Sequence, residues 1–140
     1  MRIVVVEDEA PIREGMAKLL SKINPEYELV GKAADGEAGY QLIRELNPDL
    51  VIMDIRMPKM DGIAMMKKLR EENIKCKAII LSAYSEFQYA QKAIELKADS
   101  YLLKPIKIPE LKSALKQAER EISENKGKEK NFYVENIMMA

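Results

Sequence analysis

Apolar residues fall along this chain in two alternating textures. Short runs at 3–6, 27–34, 50–53, 78–81 and 101–103 are each followed by a stretch in which apolar positions recur every three or four residues. The runs predict strands and the spaced stretches predict helices. Ile12, Met16, Leu19, Leu20 and Ile23 mark the first helical face, with Pro11 suited to a first turn. Ala38, Leu42, Ile43 and Leu46 repeat the pattern, as do Ile63, Met66 and Leu69. The fourth helix opens on a capping-box pattern at 85–88, and the fifth carries Pro109 near its start, then Leu111, Leu115, Ala118 and Ile122 on one face. Five strands alternating with five helices predict an α/β domain with a doubly wound parallel sheet.

The texture of each run also predicts its place in that sheet. Runs 3–6, 50–53 and 78–81 are continuously apolar, as strands buried on both faces require. The second run alternates, with Val30 breaking the alternation, and the fifth is short, so these two belong at the edges. The order 2-1-3-4-5 satisfies all five. In an open parallel sheet of this kind, ligands bind outside the carboxyl ends of the strands, beside the switch in strand order. The first strand delivers Glu7 and Asp8 to that rim, the third Asp54, the fourth Ser82 and the fifth Lys104.

Composition narrows the chemistry those residues can do. The chain has 140 residues, enough for one domain with its own core, and 23 basic residues balance 23 acidic ones, so net charge points to neither nucleic acid nor an anionic membrane. A chain with no histidine has no Ser–His triad and no histidine-ligated metal. The lone Cys76 precludes an intrachain disulfide and reads as a loop thiol, and with no apolar leader or membrane-length run the expected location is the cytoplasm. Three carboxylates at one rim repel one another unless a cation neutralises them, and oxygen ligands alone suit a hard ion such as Mg²⁺. A hydroxyl and an ammonium opposite them would meet the remaining oxygens of a phosphoryl group. Taken singly, each Asp could equally cap a turn or a helix; the pairs Asp35-Gly36 and Asp61-Gly62 are read only in that way.

The segments that carry these residues, VVEDE (5–9), DLVIMDIRMPKMDG (49–62), LSAYSE (81–86) and YLLKP (101–105), resemble in order and spacing the receiver domain of two-component response regulators over residues 1–122. The resemblance implies a flavodoxin-like (βα)5 fold and a regulatory switch rather than a conventional enzyme. It also implies a phosphoacceptor at Asp54, fed by a phosphohistidine on a sensor histidine kinase. Asp8 would ligate Mg²⁺, Glu7 would assist through water, Asp54 and the backbone carbonyl of Arg56 would complete the protein ligands, and Ser82 and Lys104 would engage the phosphoryl group. Tyr101 would be the aromatic switch residue coupled to Ser82, and the Lys104–Pro105 bond would be cis. By the same resemblance Arg56 and Tyr84 would flank the path of a hydrolytic water, so their bulk predicts a slow loss of the phosphoryl group.

Partners follow from the same resemblance. The fourth helix, fifth strand and fifth helix would form a phosphorylation-dependent homodimer, with Phe87, Tyr89, Tyr101 and Leu111 as its apolar part and Lys92, Glu95, Lys97 and Lys112 at its rim. The stretch 81–96 is similar to receivers fused to AraC/YesN-type helix-turn-helix domains, and residues 123–140 read as a truncated linker toward a missing output domain, through which alone DNA would be met. A stand-alone receiver acting in a phosphorelay or by protein docking is the alternative. A Mg²⁺-dependent phosphatase of related fold would place a second Asp two residues past the nucleophile, where this chain has Arg56. One departure from the family pattern is Lys97, where a left-handed turn ahead of the last strand normally carries glycine.

Overall fold

A computed structural model describes residues 1–83 and 87–139, and the side chains of all these except Phe87 and residues 126–139. Strands β1 (Arg2–Val6), β2 (Glu28–Ala33), β3 (Leu50–Asp54), β4 (Lys77–Ser82) and β5 (Ser100–Leu103) alternate with helices α1 (Ala10–Ile23), α2 (Gly36–Leu46), α3 (Gly62–Glu71), α4 (Phe87–Glu95) and α5 (Ile108–Met139). All strand pairs are parallel, in the order β2-β1-β3-β4-β5. The expected fold and strand order are therefore observed. Side chains alternate through the three central strands, so Val4, Val6, Val51, Met53, Ala78 and Ile80 meet α2, α3 and α4 on one face. Ile3, Val5, Leu50, Ile52, Ile79 and Leu81 meet α1 and α5 on the other.

The irregularity at Val30 has a structural cause. Ile3 pairs with Leu29 but Val4 pairs with Gly31, so Val30 is an extra residue in an edge strand, a bulge that breaks the two-residue period. Asp35 and Asp61 cap α2 and α3 through side-chain acceptance of the Ala38 and Ala64 N–H groups, at 2.8 and 2.7 Å. Asn47, Lys59, Asn73 and Lys97 take positive φ; at Lys97 the value is 62°, so the left-handed turn survives without glycine. The Lys104–Pro105 bond is cis.

Two expectations change. Cys76 lies in the loop between α3 and β4 but is no ordinary loop thiol: it is buried against the α3 side of the sheet, and burial pushes its thiol pKa up. Leu111 is 0% exposed and packs in the α1/α5 core, so it cannot contribute apolar surface to a dimer. The segment from 123 to 139 continues α5 as helix. The capping-box reading of Ser85 and the water-access role of Tyr84 fall on residues 84–86, outside the described residues. Among the described residues, no helix is long and apolar enough to cross a membrane.

Candidate functional site

Parallel pairing brings the carboxyl ends of β1, β3, β4 and β5 to one rim, where Glu7 follows β1, Asp54 and Ser82 end β3 and β4, and Lys104 follows β5. Glu7, Asp54 and Ser82 are buried there, while Asp8 is exposed. The three carboxylates each offer an oxygen within 4.8 Å of the others. Lys104 Nζ bridges two of them, donating to Glu7 Oε1 at 2.8 Å and to Asp54 Oδ2 at 3.0 Å. The backbone N–H of Ile55 donates to Asp54 Oδ1 at 2.7 Å, so both oxygens of this carboxylate are oriented. At the sheet end, the Lys104 N–H donates to the Ser82 carbonyl at 2.8 Å, which anchors the lysine's backbone to β4.

The electrostatics are unbalanced. Three carboxylates face one ammonium. Burial pushes the Glu7 carboxyl up to about 7; the Lys104 hydrogen bond opposes this and the Asp54 charge adds to it. For Lys104, burial alone would lower the pKa, but hydrogen bonds to Glu7 and Asp54 prevail and hold it above the ordinary lysine value. The donor set is oxygen-only, clustered and under-neutralised, which fits a hard divalent cation. Such an ion would favour the charged form of Glu7.

Two residues outside the expected set also shape the rim. Arg13 on α1 donates from Nη1 to the Glu7 carbonyl at 2.8 Å and so braces the turn after β1 that carries Glu7 and Asp8. Arg56 donates from Nη2 and Nε to the Tyr89 hydroxyl on α4, at 2.7 and 3.2 Å. The sequence holds a weak signal for Arg13, a cation one turn into the helix after an acidic pair. It holds none for Tyr89, because that contact spans 33 positions. Tyr101 is half-buried against the α2–α4 face of the core.

A family model for the response regulator receiver domain matches residues 3–116, and the chain belongs to that family. The nitrate/nitrite response regulator NarL of Escherichia coli is 34% identical over 116 residues, covering 83% of this chain and 53% of NarL. The transcriptional regulatory protein YesN of Bacillus subtilis is likewise 34% identical over 83% of this chain, but only 32% of YesN is covered. Among solved structures, the receiver domain of the response regulator AraT from Geobacillus stearothermophilus superposes with a TM-score of 0.79 at 35% identity, over 89% of this chain and 97% of that domain. The chain thus spans about half or less of these full-length regulators.

Proposed function

We propose that this domain is a phosphorylation-controlled switch whose Asp54 accepts a phosphoryl group from the phosphohistidine of a sensor kinase. The observation that supports it most directly is the Lys104 ammonium held between Glu7 and Asp54 inside a carboxylate cluster. A buried ion pair contributes little net stability. Its retention at a strand-end rim fits a site poised for an anion.

In this reading an Asp54 carboxylate oxygen attacks phosphorus, the new P–O bond forms as the P–N bond breaks, and the electron pair of that bond returns to the imidazole. Glu7, Asp8, Asp54 and the Arg56 carbonyl would hold Mg²⁺, which supplies neutralisation of the phosphoryl oxygens. Ser82 would donate to one phosphoryl oxygen, and Lys104 would turn from the Asp54 carboxylate to another. Tyr101 would repack as Ser82 is drawn in. The kinase, the dimer and an attached DNA-binding domain are the partners this implies, the last supported by the transcriptional regulators among its longer relatives.

Intact-mass measurement after incubation with a small acyl phosphodonor tests the assignment. One added phosphoryl group is expected in the presence of Mg²⁺, lost in Asp54→Asn and on chelation. An undiminished phosphorylated fraction in Asp54→Asn would sink it.

A further inference from the structure

Among the described residues, few contacts hold helix α4 to the domain. Among its described side chains Ala93 is the one that is fully buried, and Tyr89 is half-buried against the same core. Two arginines from neighbouring segments supply polar attachment near its two ends. At the carboxyl end, Arg70 of α3 donates from Nε to the Leu96 carbonyl at 3.0 Å and from Nη2 to the Lys97 carbonyl at 3.4 Å, while its Nη1 is tied to the Ile74 carbonyl at 2.7 Å. Near the amino end, on the side of the phosphoacceptor rim, Arg56 grips the Tyr89 hydroxyl with two nitrogens, its guanidinium carbon 5.6 Å from the ring centroid.

These two attachments differ in what can compete with them. The Arg70 contacts lie at the amino end of the sheet, remote from Asp54. Arg56 stands two residues after Asp54, and its guanidinium bonds here to a neutral phenol oxygen. A guanidinium bonded to an anionic phosphoryl group adds the attraction of opposite charges to its hydrogen bonds and matches that group with two parallel N–H groups.

We propose that the Arg56–Tyr89 pair is a latch on α4 that competes with the phosphoryl group for the Arg56 guanidinium. The inference rests on Asp54 being the phosphoacceptor. When the phosphoryl group arrives, Arg56 transfers to it, the Arg56–Tyr89 attachment near the amino end of α4 is released, and the helix pivots about the Arg70 clamp. Tyr89 is therefore a positioning residue for Arg56. By linkage, whatever the latch takes from phosphoryl binding, phosphoryl binding takes from the latch.

The test is a double-mutant cycle read by the affinity of the intact chain for beryllium trifluoride in the presence of Mg²⁺, followed by fluorine NMR. Tyr89→Phe keeps the ring and its packing but removes the acceptor, and it is expected to tighten binding about threefold to tenfold, because both Arg56 hydrogen bonds to that oxygen are lost. Amide exchange in α4 should rise in this variant before any ligand is added. In an Arg56→Met background, Tyr89→Phe should change the affinity no further. If Tyr89→Phe leaves the affinity of a competent wild type unchanged, or shifts it equally in both backgrounds, the latch is wrong while the phosphoacceptor reading stands. If the wild type takes up no beryllium trifluoride with Mg²⁺, the phosphoacceptor reading falls and the latch falls with it.

Discussion

Gly62 occupies the first turn of α3 at ordinary negative φ, so its lack of a side chain answers a need for space rather than for backbone freedom. A Cβ built there lies 2.2 Å from the Asp54 carbonyl oxygen and 2.7 Å from the Met53 terminal methyl. The methionine can rotate away, but the carbonyl belongs to β3. Real Cβ atoms stay at least 3.0 Å from such neighbours, so Gly62→Ala must move α3 and the end of β3 apart by about 0.8 Å. The Gly62 N–H also donates to the Ile55 carbonyl at 2.6 Å, which leaves little slack in the loop between them.

Overpacking of this kind costs about 1–3 kcal/mol, and a helix-start alanine recovers only part of that. With a urea m-value of about 2 kcal/mol/M for a chain of this size, the unfolding midpoint should fall by about 1 M. The displaced atom is the backbone carbonyl of the proposed nucleophile, so phosphorylation by a small phosphodonor should slow by at least about tenfold in the folded variant. Gly15 is the internal control: it lies within α1, and a Cβ added there would meet nothing within 4 Å. Gly15→Ala should therefore stabilise by about 0.5–1 kcal/mol and leave phosphorylation alone. Urea unfolding followed by circular dichroism measures both. Equal midpoints for Gly62→Ala and wild type, with an unchanged phosphorylation rate, would refute the close-approach argument.

Lys97→Gly should stabilise by about 0.5 kcal/mol, because left-handed strain relieved at φ 62° slightly outweighs the entropy lost by glycine, and a lowered melting temperature would contradict this. The Tyr27 phenol is pushed up to about 12, first by burial and then by its hydrogen bond to Glu119, so its contribution to stability is fully present below pH 10 and is lost between pH 10 and 12. Tyr27→Phe should flatten the fall in stability over that window, which alkaline denaturation curves of the two proteins would reveal. With Leu111 in the core, Ile94, Leu103 and Ile108 are the exposed large apolar residues among those described, and Ile94→Glu should abolish any self-association induced by Mg²⁺ and beryllium trifluoride. Sedimentation velocity decides it, since a dimer unaffected by Ile94→Glu must form through another surface. Arg56→Asn should shorten the phosphoryl lifetime severalfold by admitting and orienting water, and radiolabel decay no faster than wild type would remove Arg56 from that role.

The order of the sheet was legible because burial on two faces leaves no room for polar alternation, so the uninterrupted runs of β1, β3 and β4 could only be interior. The rim followed from the order, since parallel strands end together and their last residues converge whatever lies between them. Contacts set by loops and long side chains carry no such periodic trace. The bulge at Val30 registers in the sequence as a broken alternation, yet only the pairing of Ile3 with Leu29 and Val4 with Gly31 identifies the extra residue. Cys76 lies between two lysines and reads as an ordinary loop thiol, although the backbone turns its thiol into the core. Arg56 and Tyr89 meet through the placement of α4, which its own amphipathic pattern orients but does not position.

The same contrast separates what holds the fold from what could move. The two cores are built from side chains that interdigitate across β1, β3 and β4, and such packing resists small displacements. The proposed site is held by polar contacts instead: two of its three carboxylates are paired through one lysine, and the charge left over is what a cation would neutralise. Such a site prefers to bind a cation and an anion together. That preference can do mechanical work only on an element the cores do not fix. Helix α4, with one fully buried side chain among those described and polar attachments near both ends, is such an element. Among the described residues Arg56, two positions after Asp54 in the chain, joins it to the rim through Tyr89.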